Sequence, residues 1–174
     1  MSGHWLRQLD VYLRYLAPLA TALLAVLIDL LPLPGAGLER VTSFSTLAVV
    51  YFWSLYRPDL FTNSAAFATG LVYDALAGLP LGLSSLLLLL VRNLMVTQQR
   101  FFLARSFRVV WACFVVLAPV IALLRWVIVS LWFEHRFALS PLLVELMLTI
   151  GLYPLVSWLL GRVHNRVPRW LHAP

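Results

Sequence analysis

Residues 51–86 have the sequence YFWSLYRPDLFTNSAAFATGLVYDALAGLPLGLSSL. An Arg-Pro-Asp break ends one apolar segment, and a Gly-Leu-Pro-Leu-Gly turn ends the next. Between them, small residues and one aspartate recur at every fourth position, so on a helix they share a face. Such a face lets a second backbone approach closely in lipid, and its carboxylate is expected to face protein. The candidate packing face, for the chain's own core or for a partner's helix, comprises Ala66, Gly70, Asp74, Gly78, Pro80 and Gly82.

The composition is that of a membrane protein. Hydrophobic residues make up 62% of the 174 residues and charged residues 11%, whereas soluble domains are about 45–50% apolar and about 25% charged. The 13 basic residues are all arginine, and most of them are spread over short loops between apolar segments. The net charge of +6 therefore indicates membrane topology and not nucleic-acid binding. The sequence predicts a single integral-membrane domain over residues 1–174.

Apolar segments near the length that crosses a bilayer, about 17–25 residues, predict an all-α polytopic bundle. Before them, residues 2–14 have apolar side chains at helical spacing, which indicates a short interfacial helix. A frayed polar tail is the alternative. The second segment is short and requires tilt or local bilayer thinning. The six predicted transmembrane helices are residues 15–33, 42–56, 60–77, 81–102, 109–133 and 141–160.

Arginine is distributed asymmetrically between the two sets of loops. With six spans both termini lie on one side, and the opposite side contains only Arg40 and Arg136. The positive-inside rule then predicts that both termini are cytoplasmic. The basic segment 100–108 is amphipathic and is expected to meet anionic lipid or a cytoplasmic partner. The predicted cytoplasmic arginines are Arg7, Arg14, Arg57, Arg100, Arg105, Arg108, Arg162, Arg166 and Arg169.

Ionisable residues also occur inside the predicted spans, where an unpartnered charge is costly. From the helical rise, four of them are expected in one layer near the outer surface. Arg125 and Glu145 lie at matching depth on consecutive spans, which predicts an ion pair, with Asp74 or Asp29 as the alternative partner of Arg125. Arg92 is expected near the midplane, about 15 Å deep. The candidate polar network, Asp29, Asp74, Arg92, Arg125 and Glu145, is either an outward-opening cavity or docking site, or a set of ion pairs that fixes helix packing.

The sequence contains no catalytic or metal-binding motif. All four histidines lie outside the predicted spans, and neither H-E-x-x-H nor G-x-S-x-G occurs. Cys113, the one cysteine, has no neighbouring histidine with which to form a nucleophilic pair. The sequence therefore predicts that the protein is not an enzyme and that it binds no cofactor and no metal ion.

The opening segment also carries a family resemblance. YFWSLYRPD (51–59), followed by the pattern G-x-x-x-D-x-x-x-G-x-P-L-G from Gly70 to Gly82, resembles the MreD family of rod shape-determining proteins. The size of the chain, its short loops and its predicted cytoplasmic termini are similar as well. In the family the turn is often followed by His or Asn, whereas Ser84 and Ser85 occupy those positions here.

The resemblance implies a non-enzymatic scaffold of bacterial cell elongation in the inner membrane, with a role in cell shape and peptidoglycan synthesis. The expected partners are membrane lipid, the bitopic MreC-type protein and, directly or through it, MreB filaments, RodA and its penicillin-binding partner. Homo-oligomerisation within that complex stays open. MreD proteins also resemble, in fold, the six-helix substrate-binding subunits of energy-coupling-factor transporters. The alternative function is therefore a small-molecule-binding subunit of a membrane transporter.

Overall fold

Helices form all of the regular secondary structure in the computed structural model, which describes residues 3–31, 44–103, 105–133 and 139–165. The predicted all-α class is confirmed. The helices are α1 (Gly3–Asp29), α2 (Ser45–Tyr56), α3 (Asn63–Ala77), α4 (Leu83–Leu103), α5 (Phe107–Trp132) and α6 (Leu139–Asn165).

The first and the last two helices are longer than predicted at one end or both. The predicted interfacial segment is not a separate helix, because α1 is continuous from Gly3 to Asp29. It ends four positions before the predicted residue 33. Pro119 and Pro154 each lie inside one continuous helix, α5 and α6 respectively.

The connection between α2 and α3 is longer than predicted. A proline disfavours helical conformation in the residue before it, and α2 ends at Tyr56, before Arg57-Pro58. The start of α3 lies at Asn63 and not at residue 60, because Thr62 is the N-cap residue. Its side-chain oxygen accepts a hydrogen bond from the Ala65 N–H at 3.3 Å, which is the usual role of threonine at that position.

Consecutive helices run antiparallel. In the α1–α2 pair, Asp29 at the end of α1 binds Ser45 at the start of α2. Further from the connection, the Trp53 indole N–H donates to the Thr21 hydroxyl oxygen at 2.9 Å. The α3–α4 and α5–α6 pairs are antiparallel in the same way, as the contacts described below show. The starts of α2, α4 and α6 therefore lie at one end of the bundle.

Helix α2 is the centre of the bundle, and every residue in 45–55 is buried. Tyr51 contacts the rings of Phe114 on α5 and Tyr153 on α6, with centroid distances of 5.1 and 5.6 Å. Its hydroxyl donates to the carbonyl oxygen of Val110 at 2.9 Å. Edge-to-face ring contacts of this kind add to the burial of apolar area. The short second helix is thus enclosed by protein rather than by lipid.

Two helices are long and apolar enough to cross a membrane, judged by length and composition over the described residues: Phe107–Trp132 and Pro141–Arg162. Both present large apolar side chains on the outside of the bundle. Val116 is 69% exposed and Met147 is 76% exposed. Patches of this kind are expected in contact with lipid or with a partner.

The middle helices are shorter than a bilayer is thick. With 12 and 15 residues, α2 and α3 are about 18 and about 22 Å long, against a hydrocarbon core of about 30 Å. The second half of α4 is polar, with the sequence RNLMVTQQR at residues 92–100. The crossing of the bilayer by all six helices therefore stays a prediction.

Candidate functional site

Helices α3 and α4 approach each other at backbone distance where Gly70 faces the start of α4. A Cβ atom added to Gly70 would overlap with the backbone of Ser85 and lie 2.8 Å from the carbonyl carbon of Ser84. The Ser85 hydroxyl also donates to the carbonyl oxygen of Phe67 on α3 at 3.0 Å. Only glycine fits position 70 without moving one helix. The small residue at this position therefore serves packing between the chain's own helices.

Asp74, one turn after Gly70 and fully buried, binds the N-terminus of α4. Its Oδ2 accepts the N–H of Gly82 at 2.9 Å. Oδ1 and Oδ2 share the N–H of Ser84, at 3.1 and 3.0 Å. The first N–H groups of a helix have no partner within it, and a negative charge is favoured at that end of the helix dipole. Asp74 therefore caps α4 from a neighbouring helix.

The predicted packing face is too long, because three of its six residues belong to the turn between α3 and α4. Gly78 is outside the helix, as its left-handed C-cap residue with φ of 66°, a conformation that favours glycine. Gly82 also has positive φ, 98°. The N–H groups of Gly78 and Leu79 both donate to the carbonyl oxygen of Asp74. The buried face is therefore limited to Ala66, Gly70 and Asp74, while Gly78, Pro80 and Gly82 form the turn.

Asp29, the last residue of α1, caps α2 in the same way. It is 1% exposed. Its Oδ1 accepts the N–H and the hydroxyl of Ser45, at 2.8 and 2.5 Å. Its Oδ2 accepts the N–H and the hydroxyl of Thr46, at 2.9 and 2.7 Å. These hydrogen bonds compensate a carboxylate for the water that it loses on burial. Asp29 and Asp74 thus have equivalent roles at the starts of α2 and α4.

Arg125 on α5 and Glu145 on α6 form an ion pair, and each side chain is 12% exposed. This is the pairing expected from their matching depth. The guanidinium also donates to the Tyr73 hydroxyl at 3.4 Å and lies over the Phe44 ring, 4.6 Å from its centroid. The rings of Phe44 and Tyr73 contact each other at 5.5 Å. The Arg125 cluster, defined as Arg125, Glu145, Phe44 and Tyr73, therefore joins α3, α5, α6 and the start of α2.

Thr149 on α6 connects the Arg125 cluster to the backbone at the start of α2. Its Oγ1 accepts the N–H of Phe44 at 3.1 Å, and its hydroxyl donates to the carbonyl oxygen of Glu145 at 2.8 Å. Because the next residue, Ser45, is bound by Asp29, the first turn of α2 is held by both α1 and α6. The arrangement fixes the relative positions of the helices at this end of the bundle.

Arg92 on α4 binds the connection between α2 and α3. Its Nε–H donates to the carbonyl oxygen of Phe61 at 2.7 Å and one Nη2–H to that of Pro58 at 3.2 Å. The other guanidinium nitrogen binds the side-chain oxygen of Asn63. Carbonyl groups in a helix connection have no helical partner and need a donor when water is excluded. Arg92 supplies those donors.

A second polar side chain of α4 supports the same connection. The Gln99 amide donates to the carbonyl oxygen of Leu55, near the end of α2, at 3.1 Å. The connection itself contains an ion pair between Arg57 and Asp59 at 3.2 Å, with the Asp59 side chain 51% exposed. An ion pair so exposed contributes little to stability. The polar half of α4 thus organises the end of the bundle that the sequence predicts to be cytoplasmic.

The predicted network of charged residues is divided among separate sites. Among the described residues, Arg125 and Glu145 bind each other directly, whereas Asp29 and Asp74 bind helix starts. Arg92 was expected near the midplane, and its guanidinium instead reaches a helix connection at the opposite end from Asp74. Depth along the helices therefore predicted the pairing of Arg125 with Glu145, but not the partners of the other three charges.

Several residues of these sites were not found from the sequence. The Ser45-Thr46 pair carries a usable signal, since both residue types are typical of helix starts. Phe44, Tyr73 and Thr149 carry none, because their contacts depend on how three separate helices are rotated. The Arg125 cluster could be predicted as a pair but not as a set of four.

A comparison with known protein families bears on this arrangement. The family model described as rod shape-determining protein MreD matches residues 10–163. The chain belongs to the MreD family. The match includes the whole of α2, α3, α4 and α5, and with them both capping sites and the Arg125 cluster. Searches of curated proteins and of solved structures found no match.

Membership of the MreD family gives the chain a role in the determination of rod shape. It also places the chain among membrane proteins, which agrees with its composition and with its apolar helices. MreD is a family of shape-determining membrane proteins and not an enzyme family. The charged residues are therefore best understood as elements that assemble a membrane bundle.

Proposed function

We propose that the chain is a non-enzymatic scaffold of the bacterial cell-elongation complex, which helps to regulate cell shape and peptidoglycan synthesis. Besides the family match, this proposal rests on one observation: the buried charges bind other groups of the chain. Asp29 and Asp74 hold helix starts, and Arg125 holds Glu145. Removal of one partner from such a buried pair is strongly destabilising. An interior of this kind favours a fixed shape, which a scaffold requires.

The proposed position of the scaffold is the inner membrane, with six spanning helices and both termini in the cytoplasm. Antiparallel helix pairs and the arginine distribution support it. Arg105 lies over the exposed ring of Phe101 and Arg162 over that of Trp158, at 5.0 and 3.9 Å. Aromatic and basic residues together are typical of the membrane–water boundary. The short α3, which has exposed apolar side chains such as Phe67 and Leu76, implies local thinning of the bilayer beside it.

The proposed partners are the bitopic MreC-type protein and, directly or through it, MreB, RodA and its penicillin-binding partner. The described connections between helices are short, for instance residues 57–62 and 78–82. Little of the described chain is available for contacts outside the membrane. The large exposed apolar side chains of α5 and α6 lie where a partner's transmembrane helix or lipid can contact them.

The alternative function, a small-molecule-binding subunit of a transporter, requires polar groups that are free to bind a ligand. Asp29, Asp74, Arg125 and Glu145 were its candidate ligand residues, and each is bound by other groups of the chain. A ligand would have to replace those contacts. The structure gives this alternative no specific support, and it is an outcome of the experiment below.

The test is co-expression of the full chain with the MreC-type protein of the same genome, followed by purification in mild detergent and mass measurement. We expect one stable complex, and we expect the chain to restore rod shape in cells depleted of their own MreD. An unrelated bitopic protein of similar length is the control. A chain that neither binds MreC nor restores shape, and whose melting temperature rises with one member of a metabolite panel, would contradict the scaffold and favour the transporter subunit.

A further inference from the structure

Two arginines at the end of the bundle that the sequence predicts to be cytoplasmic lie over exposed aromatic rings. The Arg105 guanidinium carbon is 5.0 Å from the centroid of the Phe101 ring. That of Arg162 is 3.9 Å from the centroid of the Trp158 ring. The two rings are 52% and 55% exposed, and both arginines are exposed as well. The Arg–ring pairs are defined as Arg105 with Phe101 and Arg162 with Trp158.

The guanidinium groups of both Arg–ring pairs keep their hydrogen-bond donors free. Neither side chain forms an ion pair or a hydrogen bond with another residue that the structure describes. The ring attracts the cation toward its face, whereas the five N–H donors of arginine lie in the plane of the guanidinium. An acceptor beside the ring can therefore bind these donors without displacing the arginine from the ring.

The charge of this surface is not compensated by carboxylates along the chain. The sequence has no acidic residue at positions 75–133 and none at positions 146–174. Arg100, near the end of α4, and Arg108, at the start of α5, are exposed and add two further positive charges. A surface with several unpaired arginines and no carboxylate favours an anionic ligand.

Both Arg–ring pairs belong to the same end of the bundle. The Phe107 ring at the start of α5 stacks on Tyr153 of α6, with a centroid distance of 6.1 Å and an interplanar angle of 11°. Trp158 follows Tyr153 by five residues, which is about 7.5 Å along α6. Phe107 is itself 44% exposed. Exposed rings and unpaired arginines therefore occur together where α4 ends, α5 begins and α6 passes them.

We propose that each Arg–ring pair binds the headgroup of one anionic phospholipid in the inner leaflet of the membrane. A phospholipid carries its phosphate directly beside apolar chains, so one molecule supplies the acceptor for the guanidinium and covers the exposed ring. Arginine binds phosphate through two parallel N–H···O bonds, and basic residues at the cytoplasmic surface attract anionic lipid.

The exposed rings favour lipid as the occupant of this surface. Aromatic side chains are enriched at the headgroup level of a bilayer. Water and an acidic protein segment both offer oxygen acceptors to the arginines, but neither offers apolar chains to the rings. The proposal rests on the membrane placement given under Proposed function. Its test measures lipid binding by the chain alone and does not use that placement.

The experiment measures binding of phosphatidylglycerol to the full chain in a non-ionic detergent, with zwitterionic phosphatidylcholine as the reference lipid. Native mass spectrometry counts the lipid molecules that stay bound. We expect two tightly bound phosphatidylglycerol molecules. Arg105→Gln and Arg162→Gln should each weaken the binding of one of them about 5-fold, and the double variant should weaken both. The matched control is Arg57→Gln, which removes the same charge at the same end from the ion pair with Asp59 and should leave both affinities unchanged.

Trp158→Leu tests whether the ring positions the guanidinium. The variant keeps an apolar side chain and the charge of Arg162. It should weaken the binding of one lipid about 2- to 5-fold, the usual contribution of an exposed cation–ring contact. This loss should disappear when Arg162→Gln is already present. The same loss in both backgrounds would overturn the role given to the ring.

The other outcomes refute the lipid site. Equal binding of the two lipids, or an equal loss in Arg57→Gln, would show diffuse attraction between charges. Displacement of the lipid by inorganic phosphate would make a free anion the ligand. Variants that bind phosphatidylglycerol as the parent chain does, but no longer restore rod shape, would show that an acidic protein occupies the surface. None of these results bears on the scaffold, which co-purification with the MreC-type protein tests separately.

Discussion

Replacement of Gly70 by alanine tests whether the α3–α4 contact sets the structure of the bundle. The added Cβ would overlap with the backbone of Ser85 and approach that of Ser84. Those atoms cannot yield as a flexible side chain does, so α3 and α4 would have to separate. Separation at this point also lengthens the hydrogen bonds from Gly82 and Ser84 to Asp74, one turn away.

The expected cost follows from these contacts. Overpacking of a close-packed contact costs about 1–3 kcal/mol, and loss of one hydrogen bond to a charged group costs about 1.5–3 kcal/mol. The higher helix propensity of alanine relative to glycine offsets about 1 kcal/mol of this cost. We therefore expect Gly70→Ala to lower the free energy of unfolding by about 1.5–5 kcal/mol.

The assay is thermal unfolding of the purified chain in detergent, with Gly151→Ala as the matched control. Gly151 is also inside a helix, but a Cβ added there meets no atom within 4 Å. The control should therefore unfold at or slightly above the temperature of the parent chain, and Gly70→Ala well below it. Equal melting temperatures for the two variants would show that α3 and α4 are further apart than the structure has them.

Further substitutions test the polar contacts at three sites: Asp74, the Arg125–Glu145 pair and Arg92. Asp74→Leu leaves the first N–H groups of α4 without an acceptor and should cost about 2–4 kcal/mol in the same assay. Asp74→Asn keeps one acceptor and should cost less, so equal losses would mean that capping is not the role of Asp74. Arg125→Met and Glu145→Met should each be more harmful than the double variant, with a coupling free energy of about 1–3 kcal/mol. Purely additive losses in that cycle would rule out the pair. Arg92→Met should cost about 1–2 kcal/mol and make the α2–α3 connection more susceptible to protease, whereas Arg92→Lys should recover part of the loss.

The sequence predicted features that depend on one helix at a time. The order of the helices follows from apolar segments and from proline and glycine breaks, and the face of Gly70 and Asp74 follows from a spacing of four residues. The depth of Arg125 and Glu145 follows from helical rise alone. These quantities require no knowledge of how neighbouring helices are rotated about their axes.

The sequence did not predict features that depend on rotation or on local hydrogen bonds at helix ends. Gly78 shares the spacing of the small-residue face, yet it leaves the helix because a C-cap favours left-handed glycine. Arg92 lies well inside its predicted span, but its long side chain reaches carbonyl groups in the connection between α2 and α3. The position of the Phe44 ring under Arg125 depends on where α2 begins. The sequence predicted that start three residues too early.

The two capping aspartates show why buried carboxylates suit a thin membrane bundle. A helix that begins in water has its first N–H groups hydrated, whereas a helix that begins inside a bundle or in lipid needs an acceptor from protein. The lengths of α2 and α3 are below the thickness of the hydrocarbon core, so in the proposed membrane placement some helix ends lie beneath the membrane surface. Asp29 provides acceptors at one such end, the start of α2, and Asp74 does the same at the start of α4. Because these carboxylates and the Arg125 cluster bind other groups of the chain, the proposed partner contacts fall to the exposed outer faces of α4, α5 and α6.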